Sequence, residues 1–269
     1  MAYSSNKPNE KRGFQPPQND QERLLVRRVE DLCSIAQKRG IARYSNFLSD
    51  REQILAQAAL NRSGCEEYSF EGGYPNAERK LLCIEPAGAY GEPPICCIKV
   101  QCVLPSSSAQ SPAHKDYMGA ILGLGLQRDC MGDVVLNPDE PGTAFVFLLN
   151  TISQLLCDEL TSIGRYTARA EYFFDEIPCG TRERELKTAT VSSLRVDAVL
   201  AAMLHCSRSQ ASDFLRAGLV EINHVAVNQA HAAVYEGDLF TVRGKGRFRL
   251  EKLGGKSRKD RLFITFFQY

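Results

Sequence analysis

A dense run of helix and strand signals in residues 194–243 constrains the fold of this chain more than any other feature. Its first helix is predicted to start near Arg195, because Val196, Val199 and Met203 recur at the spacing of one apolar helix face. Further helix and strand signals follow after only a few residues. This part of the chain is therefore expected to fold as a small α+β module of its own.

The second predicted helix of this module has a well-marked start. Ser207 is followed three residues later by Gln210, which matches a capping box, so the helix is expected to begin at Arg208 and to stop at Gly218. A helix N-terminus offers N–H groups and a partial positive charge, and Arg208 adds a full charge at the same end. This end of the helix suits an anion such as a phosphate group.

Short strands are predicted to complete the module. Residues 220–223 and 225–228 are expected to pair, and a turn at residues 236–238 leads into a third strand at residues 239–243.

The module resembles the S4 RNA-binding domain. The strings LRVDAVL, SRSQASDFLRAGLVEIN and YEGDLFTVR carry the resemblance, in the order that the domain has. It implies that the second helix and the turn before it lie against structured RNA. The RNA face that the resemblance implies consists of Arg195, Ser207, Arg208, Ser209, Gln210, Arg216 and Asn223. One position departs from the family pattern, since His224 follows Asn223 where many members have glycine.

Positive charge is concentrated at the end of the chain. The whole sequence has 33 Lys and Arg against 32 Asp and Glu, but from Thr190 onward basic residues outnumber acidic ones by 12 to 7. The densest block consists of Arg243, Lys245, Arg247, Arg249, Lys252, Lys256, Arg258, Lys259 and Arg261. Such a block can neutralise phosphates, so Arg243, Lys245 and Arg247 join the predicted RNA face. Few aromatic residues adjoin the arginines, which favours folded RNA over single strands.

A second pattern, of the order βαββαβ, occupies residues 93–181. Its predicted elements are a strand at 95–104, a helix at 114–124, strands at 132–136 and 143–149, a helix at 151–163 and a strand at 166–174. This order is that of the ferredoxin-like fold of RNA-recognition modules. Phe145 lies in a half match to their RNP1 motif, but Thr143 stands where a stacking aromatic is required. We therefore expect the RRM-like fold here without base stacking.

The first ninety residues add amphipathic helices at 21–39 and 50–62 and a strand at 81–85. The glycine-containing loop at 70–80 lacks the strand-before, helix-after context of a phosphate-binding loop, so a hairpin turn is expected there. The predicted fold is α+β. Its parts are a disordered tail (1–19), an N-terminal α/β segment (20–92), a ferredoxin-like domain (93–181) and an S4-type domain with a basic C-terminal extension (190–269).

Almost the whole chain resembles the YlmH family of bacterial RNA-binding proteins. Besides the S4-like module, the strings YSNFLSDREQ, GGYPNAERK, HKDYMGAILGLGLQRDCMGDVVL and GKGRFRL carry this resemblance. It implies a cytoplasmic, ribosome-associated factor that contacts large-subunit ribosomal RNA and tRNA and rescues stalled nascent chains. It also implies a link to cell division. The helices within residues 21–62 are a candidate docking surface for a protein partner.

Composition is consistent with a cytoplasmic protein. No apolar run approaches the roughly twenty residues of a membrane-spanning helix, so no membrane insertion is expected. The ten cysteines include no CxxC pair, which indicates reduced thiols.

RNA-modifying enzymes that carry an S4-type domain are the alternative class. A pseudouridine synthase requires an aspartate in a GRLD-type motif, and the nearest string, GRYT at 164–167, has none. A methyltransferase requires a glycine-rich turn after a strand, whereas GAILGLG at 119–125 falls in a predicted helix. The four histidines lack metal-ligand spacing. We therefore predict a non-catalytic protein with no catalytic residues, metal or cofactor.

Overall fold

The structure is a computed structural model that describes residues 17–105, 110–178, 185–257 and 260–269. It divides into two compact units, one formed by Pro16–Gly180 and the other containing Thr181–Tyr269. Most of the predicted tail, with Arg258 and Lys259, lies outside the described residues. Among the helices described, none has the length and apolar character required to cross a membrane.

The first unit begins with a small three-stranded sheet covered by two helices. Its elements are α1 (Asp20–Arg39), β1 (Arg43–Leu48), α2 (Asp50–Arg62), β2 (Tyr68–Glu71) and β3 (Lys80–Ile84). The strand order is β1-β3-β2, and β2 and β3 form the expected hairpin. Both helices were predicted, but β1 was not. A register shift between Tyr44 and Phe47 breaks the alternation by which a strand is recognised in a sequence.

The middle of this unit has the ferredoxin-like topology. Its elements are β4 (Ile95–Cys102), α3 (His114–Gly123), β5 (Met131–Leu136), β6 (Thr143–Leu149), α4 (Asn150–Glu159), β7 (Ser162–Ile163) and β8 (Tyr166–Phe173). The strands are antiparallel in the order β5-β6-β4-β8-β7, which confirms the predicted α+β fold and βαββαβ order.

The predicted end of the second helix of this domain was wrong. The helix ends at Glu159 because Leu160 is already extended, and Ser162–Ile163 form the added strand β7. Gly164 has φ 57°, a left-handed conformation that lets the chain turn directly from β7 into β8.

Protein covers one face of the middle sheet and the β6 part of the other. On one face, α3 and α4 pack through Tyr117, Ile121 and Leu156. On the other, Phe145 and Phe147 of β6 pack against residues of the small N-terminal sheet, and each is only 2% exposed. The N-terminal segment and the ferredoxin-like domain thus share a hydrophobic core.

The contact between the two sheets is close. A Cβ atom at Gly132 would lie 2.7 Å from Cε1 of Phe47, so no larger residue fits without displacing that ring. The ring of Tyr74 stacks on Phe147 with centroids 4.9 Å apart. The first contact brings β1 against β5, and the second seats the glycine-containing loop on β6.

The carboxylate of Asp133 on β5 fixes the same loop by hydrogen bonds. It accepts from the Tyr74 hydroxyl at 2.9 Å and from the backbone N–H groups of Glu78 at 2.6 Å and Arg79 at 3.2 Å. Three donors from one loop therefore converge on one side chain of the neighbouring domain.

The Arg79 side chain completes this attachment. Its guanidinium donates to the carbonyl oxygens of Met131 and Phe47 at 2.9 Å and of Arg128 at 3.1 Å. Burial lowers the pKa of Arg79, while nearby carboxylates oppose the shift. The string GGYPNAERK thus has a structural role: it joins the N-terminal segment to the ferredoxin-like domain.

The second unit packs two helices on one face of a six-stranded antiparallel sheet. Its elements are β9 (Lys187–Val191), α5 (Val196–Met203), α6 (Arg208–Arg216), β10 (Val220–Ile222), β11 (Val225–Ala226), β12 (Leu239–Val242), β13 (Gly246–Lys256) and β14 (Leu262–Gln268). The strand order is β11-β10-β12-β13-β14-β9. Leu200 and Leu215 of the helices pack on Phe240, Phe248 and Phe266 of the sheet. The two helices and β10–β12 occur where the sequence predicted them.

We expect replacement of Asp133 by alanine to lower the free energy of unfolding by about 2–3 kcal/mol, because three donors lose a charged acceptor. The exposed Asp139, in the turn between β5 and β6, provides the control: Asp139→Ala should change stability by less than about 0.5 kcal/mol. Urea unfolding of both variants measures the difference. Equal stability of the two would show that this attachment does not hold the unit together.

Candidate RNA-binding site

Helices α5 and α6 begin close together, joined by an ion cluster around Asp197. Arg195 precedes α5 and donates to the Asp197 carboxylate through Nε at 3.1 Å and Nη2 at 3.2 Å. Arg208, the first residue of α6, donates to the same carboxylate through Nη2 at 2.5 Å. The Asp197 side chain is 7% exposed, whereas those of Arg195 and Arg208 are 44% and 49% exposed. One buried carboxylate therefore holds two half-exposed guanidinium groups.

The charge state of Asp197 follows from these neighbours. Burial alone would raise its pKa, but the hydrogen bond and charge of Arg208, together with those of Arg195, hold the pKa below its usual value. Asp197 is therefore ionised at neutral pH.

The N-terminus of α6 has the expected capping box. Ser207 Oγ accepts a hydrogen bond from the backbone N–H of Gln210 at 3.2 Å, and the Gln210 side chain accepts from the Ser207 N–H at 3.0 Å. Ser207, Arg208, Ser209 and Gln210 are all exposed. The first turn of α6 is thus both fixed in shape and open to a ligand, as the anion-binding interpretation requires.

Arg216 lies at the opposite end of α6. It is eight positions after Arg208, which corresponds to about 12 Å along the helix axis. Its guanidinium pairs with Asp213, and both side chains are largely exposed, at 72% and 61%. Arg216 is therefore a solvent-exposed charge, unlike the pair at Asp197.

The Asn223 side chain forms hydrogen bonds within the protein. It and His224 have φ values of 51° and 63°, and together they form the turn between β10 and β11. The Asn223 side chain donates to the fully buried Asp238 at 2.8 Å and accepts from the N–H of Leu239 at 2.9 Å. Its influence on RNA binding would act through the shape of this turn.

Arg243 and Lys245, two further residues of the predicted RNA face, lie in the turn between β12 and β13, and both are exposed. The backbone N–H of Arg243 donates to the carbonyl oxygen of Leu219 at 2.9 Å, so this turn lies against the segment that follows α6. Burial raises the pKa of Cys206, and the charge of Lys245 opposes that shift. Arg247 lies on β13 beside Phe248, a core residue, so it faces away from the helices; its guanidinium lies 4.8 Å from the ring centroid of Tyr269.

The structure thus groups half of the predicted residues at the start of α6: Arg195, Ser207, Arg208, Ser209 and Gln210. Sequence reasoning missed Asp197. A carboxylate between the apolar residues Val196 and Ala198, in the first turn of a helix, is the signal that could have revealed it.

The ferredoxin-like domain presents a different surface from that of an RNA-recognition module. Its RNP1-like segment contains Phe145 and lies on β6, but that face is covered by the N-terminal sheet. The expectation that this segment lacks base stacking agrees with the burial of Phe145 and Phe147.

Comparison with known proteins adds independent information. The protein-family model of the S4 domain matches residues 194–240. The family model described as a putative RNA-binding domain in YlmH matches residues 105–173. The protein "Ribosome-associated protein quality control protein P2" of Bacillus subtilis (strain 168) is 30% identical over 246 residues, covering 91% of this chain and 94% of that protein. The chain belongs to the YlmH family.

A solved structure, "Cell division protein ylmH from Streptococcus pneumoniae", is also similar, with 16% identity and a TM-score of 0.47. The match covers 60% of this chain and 96% of that one. In this chain the S4 match spans α5, α6 and most of β10–β12, and so includes the Asp197 cluster and the start of α6.

We expect Phe147→Ala to destabilise the first unit by about 3–5 kcal/mol, the cost of truncating a buried aromatic residue. RNA affinity of the folded fraction should not change, because the ring is covered by protein. Phe174→Ala, at a residue 90% exposed, is the control and should leave stability nearly unchanged. A folded Phe147→Ala protein with weakened RNA binding would contradict the inference that this face is closed.

Acid should destabilise the protein partly through Asp197. Because its folded pKa is depressed, its contribution to stability is complete above the unfolded value of about 3.9 and is lost as pH falls below it. Unfolding free energies between pH 2.5 and pH 7 should therefore fall less steeply for Asp197→Asn than for the wild type. Identical acid dependence of the two proteins would show that the arginines do not lower the pKa of the Asp197 carboxylate.

Proposed function

We propose that this chain binds structured RNA through the starts of α5 and α6 and acts as a non-catalytic, ribosome-associated factor in the cytoplasm. The observation that carries the proposal is the group of half-exposed arginines and exposed hydroxyl donors around the capped N-terminus of α6. Such groups bind phosphate oxygens by charge-assisted hydrogen bonds.

The proposed contacts divide into four sets. Those at the start of α6 are Arg195, Ser207, Arg208, Ser209 and Gln210. Arg216, Arg243 and Lys245 extend the positive surface, and Arg247 adds charge on the opposite face of the sheet. Asn223 contributes by fixing the turn between β10 and β11.

The proposed partners are ribosomal RNA of the large subunit and tRNA, with a role in rescuing stalled nascent chains. Support comes from the name of the Bacillus subtilis relative, a ribosome-associated quality control protein similar over nearly the full length of both chains. A link to cell division stays a prediction of the family resemblance. A protein partner on α1 and α2 of the N-terminal segment is a separate prediction.

An RNA-modifying enzyme is the second candidate from a different class. The proposed site consists of arginines, a lysine, hydroxyls and an amide, which suit docking rather than bond breaking. Nucleoside analysis of RNA incubated with the protein separates the two: a new modified base would establish catalysis and contradict the non-catalytic proposal.

The central test removes two charges from α6. Arg208→Gln with Arg216→Gln should weaken binding to large-subunit ribosomal RNA by at least tenfold and lower the slope of log affinity against log salt by about 2, or about 1 per phosphate contact. Glutamine is preferred to glutamate at Arg208, since a new carboxylate there would repel the buried Asp197.

The control removes the same charge elsewhere. Arg27→Gln with Arg28→Gln, on the exposed side of α1, should leave affinity and salt slope close to the wild type. Equal losses of RNA affinity in both double variants would indicate nonspecific electrostatic attraction. Unchanged RNA affinity in the α6 variant would refute the proposed RNA face. Sedimentation with large ribosomal subunits provides the corresponding test of ribosome association.

A further inference from the structure

The three arginines of α5 and α6 differ in how firmly the protein holds them. We propose that Asp197 is a positioning residue, which fixes Arg195 and Arg208 as a rigid pair of phosphate-binding groups. This inference rests on the proposed RNA-binding function, and concerns how the same site recognises a folded RNA.

The geometry of the cluster supports a fixed pair. Asp197 takes two N–H groups of Arg195 and one of Arg208, whereas each guanidinium carries five. The carboxylate is nearly inaccessible to water, but about half of each arginine side chain is exposed. The arginines are therefore anchored on their inner side and accessible on their outer side.

The pair of Arg216 and Asp213 provides the contrast. It also joins an arginine of α6 to a carboxylate, but both side chains are mostly exposed. Exposed ion pairs of this kind are screened by water and hold their side chains weakly. Of these two arrangements, the Asp197 cluster is the one that combines burial of the acid with partial exposure of the bases.

Rigid placement matters because a flexible arginine loses conformational freedom when it binds. An arginine that is already ordered loses less, so affinity for a matching RNA shape rises. The carboxylate also has an opposing effect, since its negative charge repels phosphates. Neutralising Asp197 therefore separates the two effects: charge alone predicts tighter binding, and positioning predicts weaker binding to folded RNA.

The experiment compares Asp197→Asn with Asp213→Asn in the full chain. The probes are purified large-subunit ribosomal RNA and poly(U), an unstructured polyanion. We expect Asp197→Asn to bind ribosomal RNA about tenfold more weakly and to bind poly(U) equally well or more tightly. Asp213→Asn removes the same charge from an exposed position, and should bind both probes at least as tightly as the wild type.

Equal or tighter binding of ribosomal RNA by folded Asp197→Asn would overturn the positioning role, even if the double glutamine variant of α6 still loses binding and the proposed function stands. Wild-type affinity in that double variant would instead reject the RNA face itself. A weaker affinity of Asp197→Asn for both probes alike would also overturn positioning, because it would indicate a general structural defect.

A second measurement applies if Asp197→Asn fails to fold. NMR relaxation of the arginine Nε–H groups in the free wild-type protein reports their order directly. The positioning role predicts higher order parameters for Arg195 and Arg208 than for Arg216. Equal order in all three would overturn it.

Discussion

One face of the ferredoxin-like sheet is apolar, and the other is apolar along β6 but carries the exposed polar residues Gln101, Arg169 and Glu171 on β4 and β8. The apolar areas need a protein cover to be stable in water. Helices α3 and α4 cover one face, and the small N-terminal sheet covers Phe145 and Phe147 on the other. Asp133 and Arg79 then fix the covering loop by hydrogen bonds whose partners lie in the neighbouring part of the unit. A surface that RNA-recognition modules leave open is therefore used here to attach the N-terminal segment. The RNA-binding site that we propose lies in the S4 unit.

In the S4 unit, the carboxylate that we propose to position the RNA-binding arginines is also a buried charge that folding must satisfy. A buried charge is tolerated when it is paired and hydrogen-bonded, and Asp197 obtains both from Arg195 and Arg208. These contacts join the start of α5 to the start of α6 across eleven residues of sequence. The requirement to satisfy one buried acid thus presents two arginines beside the capped end of a helix.

The sequence was most informative where local chemistry determines local structure. The capping box of Ser207 and Gln210 predicted the start of α6 correctly, and the alternation of helix and strand patterns predicted the ferredoxin-like topology. The strand β1 was missed because its register shift disrupts the pattern, and the end of α4 was misplaced because the short strand β7 follows it at once.

Contacts between distant residues could not be predicted in this way. Burial of Phe147 depends on the docking of Phe47, one hundred residues earlier, and no local pattern encodes that contact. The hydrogen bond by which the Asn223 side chain is held within the protein likewise needs Asp238, fifteen residues later. Asp197 was visible only as a carboxylate in an apolar helix, since its partnership with Arg208 exists only once the two helices have packed.

The most direct test of the whole account is ultraviolet crosslinking of protein to RNA in living cells, followed by mass spectrometry of the crosslinked peptides. The account predicts crosslinks in the peptides that contain residues 195–216 and 243–247, and large-subunit ribosomal RNA or tRNA as the attached RNA. Crosslinks concentrated instead on β6 of the ferredoxin-like domain would show that RNA reaches the part of the sheet described here as covered, and would contradict the account.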